Sequence, residues 1–231
     1  MVVVYSLLGV VAAILLGAFV CFRLTYYAAP RKEAVRDEDM LPPGKIYEPY
    51  HPRMRQWMKQ VAQMPCEEMT VQTPDKLTLR GRYYEFSADS PVEILFHGYR
   101  GFSERDMCGA VQRCFSVGHS ALLVDQRAAG RSDGCVITFG VRESEDVHLW
   151  IEAVTRRFGE GRPIVLAGVS MGATTVMLAV GRALPSNVVG ALADCGFSRA
   201  RDIIKKVIRQ LHLPANLLYP LVRLGAILYG G

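Results

Sequence analysis

Residues 164–173 read IVLAGVSMGA and carry the clearest structural pattern in the sequence. A short apolar run of the kind that forms a buried strand leads into Gly-Val-Ser-Met-Gly, and a helical pattern follows. This is the layout of a strand-to-helix turn so sharp that Ser170 takes a strained conformation and its hydroxyl stands clear of the sheet. Gly168 and Gly172 suit that turn, because a side chain two residues to either side of Ser170 would collide across it.

Strands alternate with helices on both sides of this stretch. Alternating apolar residues predict an antiparallel strand pair, followed by strands with buried faces, at 68–73, 77–84, 92–96, 121–125, 164–169 and 188–194. Helical spacing predicts helices at 54–64, 103–115, 147–158 and from the turn at Ser170 to about residue 184. Ser103 and Asp106 form a capping-box-like start to the second of these helices. The alternation predicts an α/β fold with a mostly parallel sheet flanked by helices.

Four of the predicted strands end in distinctive motifs. In chain order these are HGYRG at 97–101, DQRAAGRS at 125–132, GVSMG at 168–172 and DCGF at 194–197. With these motifs, residues from about 67 to 212 resemble the α/β-hydrolase-fold serine hydrolases. The resemblance is to the membrane-anchored bacterial branch related to esterases, lipases and prolyl-oligopeptidase-like peptidases. Ligand sites of open α/β sheets gather at the carboxyl ends of the strands, where these motifs fall.

The resemblance implies roles for three residues. Ser170 would be the nucleophile that attacks an acyl carbonyl and forms an acyl-enzyme. The backbone N–H groups of Met171 and Tyr99 would form the oxyanion hole, and such donors are typically worth about 3 kcal/mol each in the transition state. His97 is interpreted as a buried structural histidine rather than a catalytic one.

Three charged residues near these motifs have structural interpretations. Asp125 and Arg127 are expected to brace the loop that follows their strand through hydrogen bonds and ion pairs. Asp146 falls at the start of a predicted helix, where a negative charge is favoured by the helix dipole. No His, Cys or acidic cluster has metal-ligand spacing, so we assign no metal and no cofactor.

The sequence departs from the family pattern at the catalytic acid and base. In the family the order along the chain is Ser, then Asp or Glu, then His. After Ser170 the sequence contains two acidic residues, Asp194 and Asp202, and one histidine, His212. The sequence ends before the strands that normally supply the triad acid and base, so we expect an incomplete hydrolase chain that is nearly inactive as it stands. Asp194 and His212 are the remaining candidates for acid and base.

The N-terminal residues 2–22 carry no charge and would span roughly 30 Å as a helix, the thickness of a bilayer core. A cleaved signal peptide is the alternative, but no basic side chain precedes Arg23 and the apolar run is long. We therefore expect an uncleaved, single-pass anchor. Basic residues follow the span, which places the globular part in the cytoplasm.

The sequence divides into four segments. These are a transmembrane anchor at 1–23, a linker with a short helix at 24–66, a hydrolase core at 67–198 and a basic, amphipathic segment at 199–231. We interpret the last segment as a truncated cap helix that covers the site. The alternative is that this helix lies on anionic lipid. Six basic residues against one acid give this segment its positive charge.

Composition excludes some partners and leaves others open. Half of the 231 residues are hydrophobic, the net charge is +5, and the six cysteines form no C-x-x-C pair. We interpret them as mostly buried free thiols, which favours a reducing compartment, with disulfides as the alternative, and we expect no nucleic-acid partner. The expected substrate is a small carboxylic ester or amide. The alternative is a non-catalytic, membrane-tethered binding or scaffold protein, and a third possibility is a carrier of lipid or acyl groups. The oligomeric state is open.

Overall fold

The computed structural model describes residues 1–29, 41–42 and 44–230. Part of the predicted linker, residues 30–40 and 43, therefore lies outside the described residues. The described chain forms two compact units, one of residues 29–196 and one of residues 1–28 with 197–231. The helices are α1 (Val2–Thr25), α2 (His51–Gln63), α3 (Ser103–Asp106), α4 (Cys108–Ser116), α5 (Glu143–Phe158), α6 (Met171–Val180), α7 (Ala200–Gln210) and α8 (Ala215–Tyr229). The strands are β1 (Glu67–Gln72), β2 (Thr78–Tyr84), β3 (Val92–Phe96), β4 (Ser120–Asp125), β5 (Ile164–Val169) and β6 (Val188–Asp194).

The larger unit is built on one six-stranded sheet in the order β1-β2-β4-β3-β5-β6. The pairs β1–β2 and β2–β4 are antiparallel, and the three remaining pairs are parallel. This confirms the predicted mostly parallel sheet. In the parallel part Phe96 is paired with Gly168, and Gly168 with Ala193, so β3, β5 and β6 end side by side at one edge.

Helices cover both faces of the central strands β3 and β4, which are buried on both sides. Adjacent residues of β3 belong to different hydrophobic clusters: Ile94 packs in the cluster that contains Trp150 of α5, and Leu95 in the one that contains Val111 of α4. Side chains alternate between faces along a strand, so a strand between two helical layers is buried at every position. All five residues of β3 are buried.

The predicted helix at 103–115 is broken into two. Its first turn, α3, ends before Met107, and α4 starts at Cys108. The predicted capping box is wrong, since Ser103 is already helical and Phe102 occupies the N-cap position. The backbone N–H of Ser103 instead donates to Asp125 Oδ1 at 2.9 Å. The carboxylate of Asp125, at the end of β4, thus accepts a helix N–H that the capping box was expected to bond.

The smaller unit contains α1, α7 and α8. The long helix α1 packs against α8, and α7 packs against α8 as well. Within the part of the chain that the structure describes, α1 is the one helix long and apolar enough to cross a membrane. The sequence-based division treated residues 1–23 and 199–231 as separate segments, and the structure joins them in one unit.

Candidate active site

Ser170 lies between the end of β5 and the start of α6, as the sequence predicts. Its φ angle is +54° and its ψ angle −113°, a backbone conformation that side chains rarely adopt. Its N–H donates to the carbonyl oxygen of Asp194 at 2.8 Å, which continues the β5–β6 ladder by one residue. Its carbonyl accepts the N–H of Thr174 at 3.1 Å, which starts α6 directly after the turn. The strand and the helix therefore both hold the turn, and Ser170 stays half-buried at its apex.

The two flanking glycines are required by close backbone approach. A Cβ at Gly172 would lie 2.7 Å from the carbonyl oxygen of His97 and overlap the carbonyl oxygen of Phe96. A Cβ at Gly168 would lie 2.7 Å from the backbone nitrogen of Ala173. Real Cβ atoms essentially never come within 3.0 Å of other heavy atoms, so a side chain would push the turn away from β3.

The loop after β3 lies beside Ser170. A Cβ built on Gly98 would lie 3.7 Å from the Cβ of Ser170, which places the following residue, Tyr99, next to the turn. The ring of Tyr99 stacks on Phe139 with the ring centroids 5.2 Å apart, and burial raises the pKa of its phenol. Met171 is the first residue of α6, and the first N–H groups of a helix have no acceptor within the helix. Two backbone segments that could donate to an anion therefore flank Ser170.

His97 is buried and holds this loop in place. Its Nε2 accepts the backbone N–H of Gln126 at 3.1 Å, so the proton is on Nδ1, which donates to the carbonyl of Gly98 at 2.8 Å. Gln126 also donates from its side chain to the carbonyl of His97 at 2.7 Å and accepts from the hydroxyl of Thr175 at 3.0 Å. Because both ring nitrogens are engaged, His97 serves as a structural residue. Sequence reasoning missed Gln126 and Thr175, since these polar side chains meet only when β3, β4 and α6 pack together.

Asp125 braces the loop after β4, as expected. One carboxylate oxygen accepts the N–H of Ser103 and the other accepts the N–H of Arg131, each at 2.9 Å. Gly130 is required here, because its φ is +53° and a Cβ would overlap the Asp125 carboxylate.

The interpretation of Asp146 as a helix-dipole charge is incomplete. Its two carboxylate oxygens accept from Nε and Nη2 of Arg127, both at 2.7 Å, and both side chains are 5% exposed. Burial alone would lower the pKa of Arg127, but the bonds to Asp146 and Asp75 raise it above its usual value. The partner came from a loop about twenty residues earlier in sequence, which a local dipole argument does not consider.

Asp194 and His212, proposed as acid and base, occupy different units. Asp194 ends β6, is exposed, and its backbone carbonyl is bonded to the N–H of Ser170. His212 was expected within a helix. It lies instead just beyond α7, in a turn with φ +58°, and is exposed.

Comparison with known proteins identifies the fold. No protein-family model and no curated protein matches the chain. Among solved structures, the Pyrococcus furiosus esterase Pf2001 is similar at a TM-score of 0.60 and 20% identity, covering 89% of this chain and 69% of that one. A second crystal form of that esterase gives a TM-score of 0.57 at 20% identity, with 71% of this chain and 65% of that one covered.

A third similar structure is DcsB in complex with its substrate analogue, at a TM-score of 0.51 and 20% identity, covering 64% of this chain and 54% of that one. This chain thus spans between 54% and 69% of the length of these proteins. The chain has the α/β-hydrolase fold. Fold alone does not assign an activity, which has to be argued from the site.

Proposed function

We propose that this protein is a serine hydrolase that cleaves carboxylic esters or small amides through an acyl-enzyme on Ser170. The observation that carries the proposal is the conformation of Ser170. A serine kept at φ +54°, between glycines that backbone atoms crowd, costs stability of order 1–3 kcal/mol and is found where the strain serves a reaction. The fold similarity to an esterase supports the same class of chemistry.

In the proposed reaction, Ser170 Oγ attacks the acyl carbonyl and its proton passes to a general base. The N–H groups of Met171 and Tyr99 stabilise the oxyanion, and the alcohol or amine leaves with a proton returned by the base. Water then hydrolyses the acyl-enzyme and restores Ser170. Asp194 and His212 stay the sequence-based candidates for acid and base, and the proposal is carried by the conformation of Ser170 without them.

The test is covalent labelling of the chain with a fluorophosphonate probe. The parent should be labelled slowly, because an enzyme without its catalytic base keeps only residual activity. A Ser116→Ala control should be labelled at the same rate, since Ser116 is exposed at the end of α4, outside the proposed site. Ser170→Ala should not be labelled. If the parent is not labelled while its circular dichroism shows a folded chain, the hydrolase proposal fails, and the non-catalytic scaffold becomes the preferred function.

A second measurement separates the roles of the proposed base and acid. Hydrolysis of a p-nitrophenyl ester by the parent should be slow, because the chain is expected to be nearly inactive. His212→Gln and Asp194→Asn should fall to the level of Ser170→Ala only if these residues act as base and acid, because members of a triad act as a unit. Activity that survives in both variants shows that other residues act as base and acid, while the role of Ser170 stands.

We also propose that α1 anchors the protein in a membrane and that the larger unit lies in the cytoplasm. The support is the length and apolar composition of α1, with its basic Arg23 in the last turn. A membrane-impermeant thiol reagent added to intact cells should leave the exposed Cys66 unmodified, and should modify it after permeabilisation. Modification of Cys66 before permeabilisation would reverse the proposed orientation.

A further inference from the structure

The helix α8 is fitted to α1 by a close backbone contact. A Cβ at Gly225 would lie 3.0 Å from Phe22 Cβ and overlap the carbonyl oxygen of Ala18. On one side of this contact Leu221 packs over Gly17, and on the other Tyr229 meets Phe19 with ring centroids 5.4 Å apart. Small residues that let two helix backbones approach are typical of helix pairs within membranes.

The contact lies near one end of α1. Its α1 residues, Gly17 to Phe22, fall three to eight residues before the helix ends at Thr25, which is about 4–12 Å along the helix axis. The chain continues from this end into residues 29–196. In an α1 that crosses a bilayer, this is the depth of the boundary between headgroups and acyl chains, where interfacial helices lie.

The exposed residues of α8 are mostly apolar, with Asn216 and Arg223 among them. Leu217 and Ile227 are 69% and 68% exposed, and Arg223 is the one charged residue of the helix. The preceding helix α7 has its apolar residues Ile204 and Ile208 buried, while Lys206 and Arg209 are exposed. An apolar helix at the boundary and a basic helix beside it together match the two layers of an anionic membrane surface.

We propose that α7 and α8 form, with α1, a membrane-bound platform: α8 lies in the interface of the bilayer, and the basic side chains of α7 contact anionic phospholipid headgroups. The platform takes the place of the cap helix expected from the sequence. This inference rests on the proposed anchoring by α1 and is independent of the proposed catalysis.

The experiment uses the full chain reconstituted in phosphatidylcholine vesicles that contain phosphatidylglycerol, with lipid acyl chains brominated to quench tryptophan. Single substitutions Leu217→Trp and Ile227→Trp report on α8, and Val11→Trp reports on α1. Val141→Trp is the matched control, since Val141 is comparably exposed at 58% but belongs to the larger unit. The emission of Trp57 and Trp150 in the parent is subtracted.

The platform predicts quenching at 217 and 227 about twofold or more above that at 141, with strong quenching at 11. Quenching at 11 without quenching at 217 and 227 overturns the platform and leaves the anchor intact. Absence of quenching at 11 overturns the anchor and the platform together. A blue-shifted but unquenched tryptophan at 217 shows that α8 is covered by protein, from the same chain or a second copy of it, and likewise overturns the platform.

Two further variants test packing and charge. Gly225→Leu should abolish the added quenching at 217, whereas Gly9→Leu should not, because no described heavy atom lies within 4 Å of a Cβ at Gly9. The pair Lys206→Glu and Arg209→Glu should reduce quenching of a Leu211→Trp reporter to its value in pure phosphatidylcholine. Equal quenching of that reporter in both lipids, before the charges are changed, would overturn the headgroup contact.

Discussion

The guanidinium of Arg127 holds the carboxylate of Asp146 by two parallel hydrogen bonds of 2.7 Å. The loop after β4 supplies one partner and the first turn of α5 the other, and both are buried. Arg127 also donates to Asp75 at 3.0 Å, which connects the turn after β1 to the same point. One guanidinium thus joins three segments that are far apart in sequence.

Asp146→Asn should therefore destabilise the protein strongly. It leaves the buried guanidinium with the half-exposed Asp75 as its charged partner, and loss of a buried partner typically costs about 3–5 kcal/mol. The free energy of unfolding in urea measures the effect. Glu145→Gln is the matched control on the next residue, because the pair of Glu145 with Arg182 is 3.5 Å long and solvent-exposed. Its cost should stay below about 1 kcal/mol, and equal costs for the two variants would contradict the structural role of the buried pair.

Replacing Ser170 tests whether its backbone conformation is strained. Ser170→Gly should be more stable than Ser170→Ala by about 1–3 kcal/mol, because glycine adopts φ +54° without strain and alanine does not. Thermal unfolding of the two variants gives the difference. Equal melting temperatures would show that the turn at Ser170 is not strained.

The glycine after the serine should resist substitution. Gly172→Ala places a Cβ against the carbonyl oxygens of Phe96 and His97, so β3 and α6 must move apart at a cost of about 1–3 kcal/mol or more. Gly190→Ala in β6 is the control, since a Cβ there meets no described heavy atom within 4 Å. Urea unfolding should show a loss of stability for the first variant alone, and a tolerated Gly172→Ala would argue against the close approach.

Thiol reactivity should divide the cysteines by burial. Burial raises the pKa of Cys108 to about 11 and that of Cys114 to about 12, whereas Cys66 and Cys195 are exposed. At pH 8 a thiol reagent should modify the exposed pair rapidly and the buried pair only after unfolding, because the thiolate is the nucleophile. Mass spectrometry of the native and unfolded protein reads out each site.

The raised pKa values of Cys108 and Cys114 also determine how the free energy of unfolding changes with pH. An unfolded thiol ionises near pH 8.5, and the buried thiols stay protonated in the folded state to a much higher pH. Their contribution to stability is therefore fully present below about pH 8.5 and is lost as the pH rises toward 11–12. The free energy of unfolding should fall between pH 8 and 10, and the decrease should be smaller in Cys114→Ala.

Local sequence determined the strands and the turn at Ser170. The period of apolar residues marks a strand, and Gly168 and Gly172 mark a turn that larger residues cannot make. The mostly parallel sheet followed from the alternation of strands and helices along the chain. The choice of Tyr99 came from the family resemblance, and the sequence placed it in the loop after β3.

Tertiary structure decided what distant side chains do. The start of α3 is bonded by Asp125 rather than by its own capping box, Asp146 pairs with Arg127, and Gln126 ties His97 to α6. Likewise, α8 packs on α1, although nearly two hundred residues separate them. The sequence shows whether a side chain can form hydrogen bonds or needs burial. Only the fold brings a particular partner within contact distance of it.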